Sequence, residues 1–153
     1  MKLVVAILIS TAFFISSKIN AQEKISITAS VDNVSSSKGI VGFSLYNKKT
    51  FMAIPLQSKH SKIIDGKSKV VFENVAAGEY AIICLHDMNE NGKMDFSPQG
   101  RPEEDYGASN NTLGFGFPQY DDAKFAVTDK NLKINIPLFF KSEINYFYSD
   151  EKK

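Results

Sequence analysis

The stretch Ile25-Ser26-Ile27-Thr28-Ala29-Ser30-Val31 alternates apolar and polar side chains at every step. Successive side chains of a β-strand point to opposite faces, so this period of two predicts a strand with one buried face. The pattern returns in Val41, Phe43 and Leu45, after a turn-forming run at residues 35–39. The same kind of evidence predicts further strands at residues 69–72, 80–85, 124–127, 132–138 and 144–148.

These segments together predict an all-β fold. Many short strands separated by turn residues are typical of a single antiparallel β-sandwich of about seven to eight strands, immunoglobulin-like or transthyretin-like, with Greek-key connections. Residues 80–85 are almost continuously apolar, which is typical of a central strand covered on both faces. Residues 50–56 favour at most one or two helical turns, because Pro55 limits a helix there.

Residues 87–119 show no strand alternation and are predicted to form one long loop. A loop of this length in a compact domain is usually functional, disordered or held in place by another group, and a metal ion at its start would hold it. It opens with Asp87-Met88-Asn89-Glu90-Asn91-Gly92-Lys93-Met94-Asp95, which reads D-x-N-x-N-G-x-x-D. The spacing matches the first nine positions of an EF-hand calcium loop, in which side-chain oxygens converge on a hard cation.

The match to an EF-hand is incomplete, because Pro98 stands where that loop has a bidentate glutamate. We expect the missing acid to come from Glu103, Glu104 or Asp105. An alternative is an ordinary polar turn in which Asn91-Gly92 serves only the backbone geometry. The predicted calcium ligands, with Lys93 contributing its carbonyl, are Asp87, Asn89, Asn91, Lys93, Asp95, Glu103 and Glu104.

Four further residues are candidates for a ligand-binding loop: His86, Tyr106, Phe115 and Phe117. Each also has a structural interpretation. We expect His86 to end a strand, Tyr106 to cover the loop, and the phenylalanines to tuck beneath it as a satellite core. Cys84 is expected to be a buried, inert thiol, and no residue is assigned a catalytic role.

The N-terminus is predicted to be a signal peptide covering residues 1–21, with cleavage before Gln22. Its apolar stretch at residues 3–15 is shorter than the roughly 20 residues that a membrane span needs. We therefore expect a protein exported to the periplasm or the extracellular space of a bacterium, with a β-sandwich domain at residues 22–148, a flexible tail at 149–153 and no transmembrane segment in the mature chain.

The composition excludes one large class of partners. The whole chain has 18 Lys and Arg residues against 17 Asp and Glu residues, and it contains no polybasic run. Nucleic acid is therefore not an expected partner. The single cysteine allows no internal disulfide.

The chain resembles the secreted bacterial family named domain of unknown function 2141. The resemblance covers most of the mature chain, at residues 39–46, 72–81, 86–95, 100–107, 109–111 and 118–125. It implies a compact, secreted all-β domain and implies no activity. A weaker resemblance, through Phe72-Glu73-Asn74-Val75 and Gly78-Glu79-Tyr80, is to transthyretin-like and collagen-adhesin B-type sandwiches.

Three functions fit these observations. The leading hypothesis is a calcium-stabilised β-sandwich that binds an unknown envelope or extracellular ligand through its long loop. The alternatives are a metal-assisted hydrolase that uses His86 and nearby acids, and a purely structural envelope protein. A fold alone does not decide among them.

Overall fold

A computed structural model describes residues 25–111 and 117–140 as an all-β fold with two sheets. The predicted signal peptide, the predicted strand at 144–148, the tail at 149–153 and Phe115 lie outside the described residues. The strands are β1 (Ile25–Val31), β2 (Ile40–Tyr46), β3 (Gln57–Lys62), β4 (Ser68–Val75), β5 (Gly78–Asp87), β6 (Tyr106–Ala108), β7 (Phe125–Val127) and β8 (Leu132–Asn135). A 3₁₀ turn covers Ser109–Asn111, and a short helix, α1, covers Tyr120–Ala123.

The smaller sheet has the order β4-β1-β8, and the larger has the order β3-β2-β5-β6, with β7 paired to the start of β5. The pairs among these described strands are antiparallel with one exception, because β1 and β8 run parallel. The prediction of a purely antiparallel arrangement is therefore wrong for this pair. β8 joins β1 from the far end of the chain, so no hairpin constrains its direction.

Alternate residues of both sheets meet in one hydrophobic core. The buried positions of β1 are those predicted from its period of two, Ile25, Ile27, Ala29 and Val31. The core continues through both sheets, and its largest fully buried apolar side chains include Phe43, Phe72, Ile27, Leu45, Ile82 and Ile136. Burying each such side chain contributes about 1.5–3 kcal/mol, so this shared core holds the two sheets together.

The chain passes from one sheet to the other immediately after β8. The Ile136 N–H donates to the Ser30 carbonyl in the smaller sheet, and Phe139 then exchanges two backbone hydrogen bonds with Tyr106 in the larger sheet. Asn33 fastens this crossing, since its side chain donates to the Leu138 carbonyl and accepts from the Leu138 N–H, both at 2.9 Å. The strand predicted at 132–138 therefore ends earlier, at Asn135.

Two of the strands leave no signal in the sequence pattern. β3 reads Gln-Ser-Lys-His-Ser-Lys and has no apolar face, yet it pairs with β2 along its whole length. β6 lies inside the stretch predicted to be one long loop, and Asp87, expected to begin that loop, is the last residue of β5. Residues 50–56 form hydrogen-bonded turns in place of the possible helix.

A second apolar cluster lies on the face of the larger sheet that points away from the core. It consists of Ala81, Ala108, Tyr120 and Ala123, with Phe51 and Ile83 packed against it. The Phe51 ring meets that of Tyr120 edge-on at 5.5 Å between centroids. The short helix α1 thus covers one end of this outer face.

Candidate metal centre

The candidate metal centre is built on the end of β5. Asp87 is buried, and its carboxylate accepts the N–H groups of Asn91 at 3.1 Å and Gly92 at 2.7 Å. Gly92 has a φ of +77°, which a glycine adopts without steric cost. These contacts curl residues 87–92 back over the strand end, so that the polar side chains of the loop face one another.

Asn89, Asn91 and Asp95 form the next part of the centre. The amide groups of Asn89 and Asn91 donate to the Asp95 carboxylate at 2.7–3.0 Å. The Asn89 Oδ1 accepts the Asn91 N–H, and the Asn91 Oδ1 accepts the Lys93 N–H. The alternate residues of the motif therefore do share one site, as their spacing predicts.

Glu104 is the downstream acid that joins this cluster. It is buried, with Oε1 accepting the Met88 N–H at 3.0 Å and Oε2 accepting the Asp95 N–H at 3.3 Å. Burial raises the pKa of Glu104, the two backbone hydrogen bonds lower it, and the negative charges of Asp87 and Asp95 raise it; the net shift is upward. The carboxyl group thus lies within electrostatic range of both aspartates.

The other two downstream acids do not join in the same way. Glu103 is exposed and contributes its backbone N–H, which donates to the Asp95 carbonyl at 2.9 Å. Asp105 accepts the Ser35 hydroxyl at 2.5 Å and lies 3.8 Å from the ring of His86. Of the three acids left open by the sequence, Glu104 is the one whose carboxylate binds the backbone of the loop, at Met88 and Asp95.

The donor set suits a hard cation, because it is made of carboxylate and amide oxygens. Within residues 25–111 and 117–140, however, no three His, Cys, Asp or Glu side chains already stand in a metal-binding arrangement. The amide groups of Asn89 and Asn91 point their N–H groups at Asp95. Both amides would have to turn over to present oxygens to a cation.

His86 has a structural position, as expected. Its side chain is fully buried; Nε2 donates to the Lys38 carbonyl at 2.9 Å, and Nδ1 lies 3.8 Å from Asp105 Oδ2. Tyr106 is also buried, in β6. Neither side chain is displayed on a loop surface.

Phe117 differs from the expectation that it tucks beneath the loop. It is 61% exposed, and its ring lies 6.3 Å from that of Phe96, which is 47% exposed. Nothing in the sequence distinguishes Phe96 from a core phenylalanine, so sequence reasoning misses it. The two rings stand together on the surface.

The turn at residues 35–39 packs against the end of β5, where the candidate metal loop begins. The sequence carries no signal for this contact. The Lys38 carbonyl holds His86, and Gly39, with a φ of +78°, lies against the backbone of Asp87. Beside the loop lies a polar cleft of about 540 Å³, whose lining includes Lys38, Arg101, Asn89 and Glu104.

The fold and this loop define a class, an all-β domain of two sheets with an oxygen-rich loop at the end of a central strand. Residues 29–135 match the family described as "Uncharacterized protein conserved in bacteria (DUF2141)", and the chain belongs to this family. The predicted family membership is thereby confirmed. No curated protein and no solved structure matches the chain, so the weaker resemblance to transthyretin-like and adhesin sandwiches stays a prediction.

The described part of the chain contains no candidate membrane-spanning helix. Within 25–111 and 117–140, no helix has both the length and the apolar character that such a crossing requires.

Proposed function

We propose that this protein is an exported, calcium-stabilised β-sandwich that binds a ligand at the cell envelope. The observation that supports it best is that Asn89 and Asn91 bind the Asp95 carboxylate in one loop, with the charges of Asp87 and Asp95 close enough to act on Glu104. Three nearby carboxylates repel one another, and a divalent cation would relieve that repulsion. The signal peptide predicted at residues 1–21 supports export to a calcium-containing compartment.

Calcium is the expected ion because the donors are all oxygens carried on a curled loop. Calcium accepts 6–8 oxygens in flexible geometry, whereas magnesium demands a smaller and stricter octahedron. We expect Asp87, Asp95 and Glu104 to supply carboxylates, Asn89 and Asn91 to supply amide oxygens, and Lys93 to supply its carbonyl. With two neutral amides that must turn over first, we expect a Kd of about 10⁻⁴ M.

We infer the ligand-binding role from the position of the loop between two paired strands of the larger sheet. Loops held on a rigid sheet commonly carry binding sites, and calcium would fix the loop between β5 and β6. The metal-assisted hydrolase is less well supported, because His86 is fully buried and its Nε2 is already bound to the Lys38 carbonyl.

Thermal unfolding of the mature chain, residues 22–153, in about 2 mM calcium and in chelator tests the proposal. Mass action at the expected Kd adds about 1.8 kcal/mol, which raises the melting midpoint by a few degrees. Magnesium should raise it less. Isothermal titration calorimetry with calcium then gives the Kd directly.

Two neighbouring glutamates provide a matched pair of variants. Glu104→Gln removes a buried carboxylate from the cluster, and Glu103→Gln makes the same chemical change at an exposed position. We expect the calcium-dependent shift to be lost in Glu104→Gln and kept in Glu103→Gln. Identical melting of the parent protein in calcium and in chelator would refute the metal site and leave residues 87–95 as a polar turn.

A further inference from the structure

Within residues 25–111 and 117–140, the second apolar cluster covers only one end of the outer face of the larger sheet. Across this face, Gly42 of β2 lies between His60 of β3 and Leu85 of β5. One step along, Ser44 lies between Ser58 and Ile83 in the same strands. The cluster of Phe51 and α1 covers the end of the face beyond Ile83, and in the described part of the chain the end around Gly42 is a groove.

This open end forms a groove of about 300 Å³. Phe96 and Phe117 stand along one side, 47% and 61% exposed, with Leu85 and Ile83 on the floor beside them. Two exposed aromatic rings whose centroids are 6.3 Å apart, beside an apolar floor, match the apolar and aromatic lining that small-molecule sites prefer.

Gly42 has no side chain, so the groove is deep at this position and reaches the backbone of β2. A Cβ added there would have the Leu85 carbonyl at 3.9 Å as its nearest neighbour, so sterics do not require a glycine at this position. A glycine in the interior of a central strand weakens the strand, and it often marks a place where a ligand approaches the backbone. The space above Gly42 therefore belongs to the groove.

The two sides of the groove differ in chemistry. On the β3 side, the hydroxyls of Ser44 and Ser58 lie 3.4 Å apart, and His60 stands beside them. The opposite side is aromatic and aliphatic. The groove also carries a positive charge, because Lys93 lines it, whereas the carboxylate of Asp87, which also lines it, accepts the N–H groups of Asn91 and Gly92.

We propose that this groove binds a small amphiphilic anion, with a flat apolar body against Phe96, Phe117 and Leu85 and its anionic group near Lys93. The proposal rests on the binding function proposed above, and it adds the location and the ligand class. Residues 92–94 and 96 of the candidate calcium loop form part of the wall, so the metal loop and the groove are neighbours.

The test uses the fluorescent aromatic anion 1-anilinonaphthalene-8-sulfonate as the probe, with the mature protein in calcium. Gly42→Val places a side chain on the groove floor, and valine suits a strand. Thr28→Val, on the outward face of the smaller sheet, is the control. We expect Gly42→Val to weaken probe binding by about tenfold or more and Thr28→Val to leave it unchanged.

A second probe separates charge from apolar contact. N-phenyl-1-naphthylamine has the same rings without the sulfonate, so it should bind the parent protein more weakly, and Lys93→Gln should narrow the difference. If Gly42→Val binds the anionic probe as the parent does while melting at least as high, the groove is not the site. Equal binding of the two probes would refute the anionic ligand.

Two further measurements complete the test. The first shows whether a second copy of the chain fills the groove, and the second shows whether the groove proposal and the calcium proposal can be refuted independently. If the parent dimerises in sedimentation equilibrium and Gly42→Val abolishes the dimer, the occupant is a second copy of the chain, and the proposal is wrong. The calcium titration is repeated on Gly42→Val, where the melting shift should persist. If the parent protein binds neither probe but keeps its calcium-dependent melting shift, only this inference fails. If the parent binds the anionic probe but shows no calcium shift, only the metal site fails.

Discussion

Replacing Gly39 with alanine tests how the turn at residues 35–39 holds the root of the candidate metal loop. Gly39 has a φ of +78°, and an added Cβ would lie 2.1 Å from the Asp87 carbonyl oxygen and 2.7 Å from the Met88 Cα. Real Cβ atoms essentially never approach closer than 3.0 Å, so the turn or the end of β5 must move by about 1 Å. The backbone conformation costs alanine about 1–2 kcal/mol, and the overpacking adds about 1–3 kcal/mol.

Gly66→Ala is the matched control for this change. Gly66 also has a positive φ, +72°, but its added Cβ would meet the Val34 carbonyl oxygen at an ordinary 3.6 Å. It should therefore lose only the backbone contribution, about 1–2 kcal/mol. Urea unfolding of both variants in chelator, with unchanged m-values, measures the difference. If the two free energies of unfolding agree within about 0.5 kcal/mol, Gly39 does not contact β5 as described.

Three further predictions concern the core and the processing of the chain. Ser109→Ala should lower the free energy of unfolding by about 1–3 kcal/mol, because the buried hydroxyl accepts from the Ile82 N–H and donates to the Ala123 carbonyl; an unchanged urea midpoint would contradict those bonds. Burial raises the pKa of the Cys84 thiol well above its usual value, so a disulfide reagent at about pH 8 should label Cys84 only on unfolding, and rapid labelling of the native protein would contradict this. Intact mass of the exported protein should show a chain that starts at Gln22, and retention of residues 1–21 would disprove the signal peptide.

The strands with one buried face could be predicted from the sequence, and the others could not. Apolar and polar residues alternate in β1 and β2 because one face of each strand meets the core, and this alternation can be recognised in the sequence. β3 is polar on both faces, so its backbone pairing with β2 leaves no trace in the hydrophobic pattern. β6 has three residues, all buried, which is too short for any period to show.

The candidate site could be predicted in part for a similar reason. The motif at residues 87–95 is local, so its spacing alone brings Asn89, Asn91 and Asp95 together. The choice of Glu104 depends on how the chain returns to β5, where the His86 N–H binds the Asp105 carbonyl. That backbone bond sets which of three successive acids turns toward the loop, and it is a tertiary contact that spacing does not encode.

The parallel pairing of β1 with β8 also affects the order in which the chain folds. The hydrogen bonds between Asn33 and Leu138 join residues 105 positions apart, and β1 lacks its second neighbour until β8 has been made. Contacts between such distant residues slow folding, because the chain must close a large loop before it gains them. For a protein exported as proposed, this delay is useful, since the chain remains threadable through a translocation channel while its C-terminal strand is still behind it. The smaller sheet is then complete only after β8 has paired with β1.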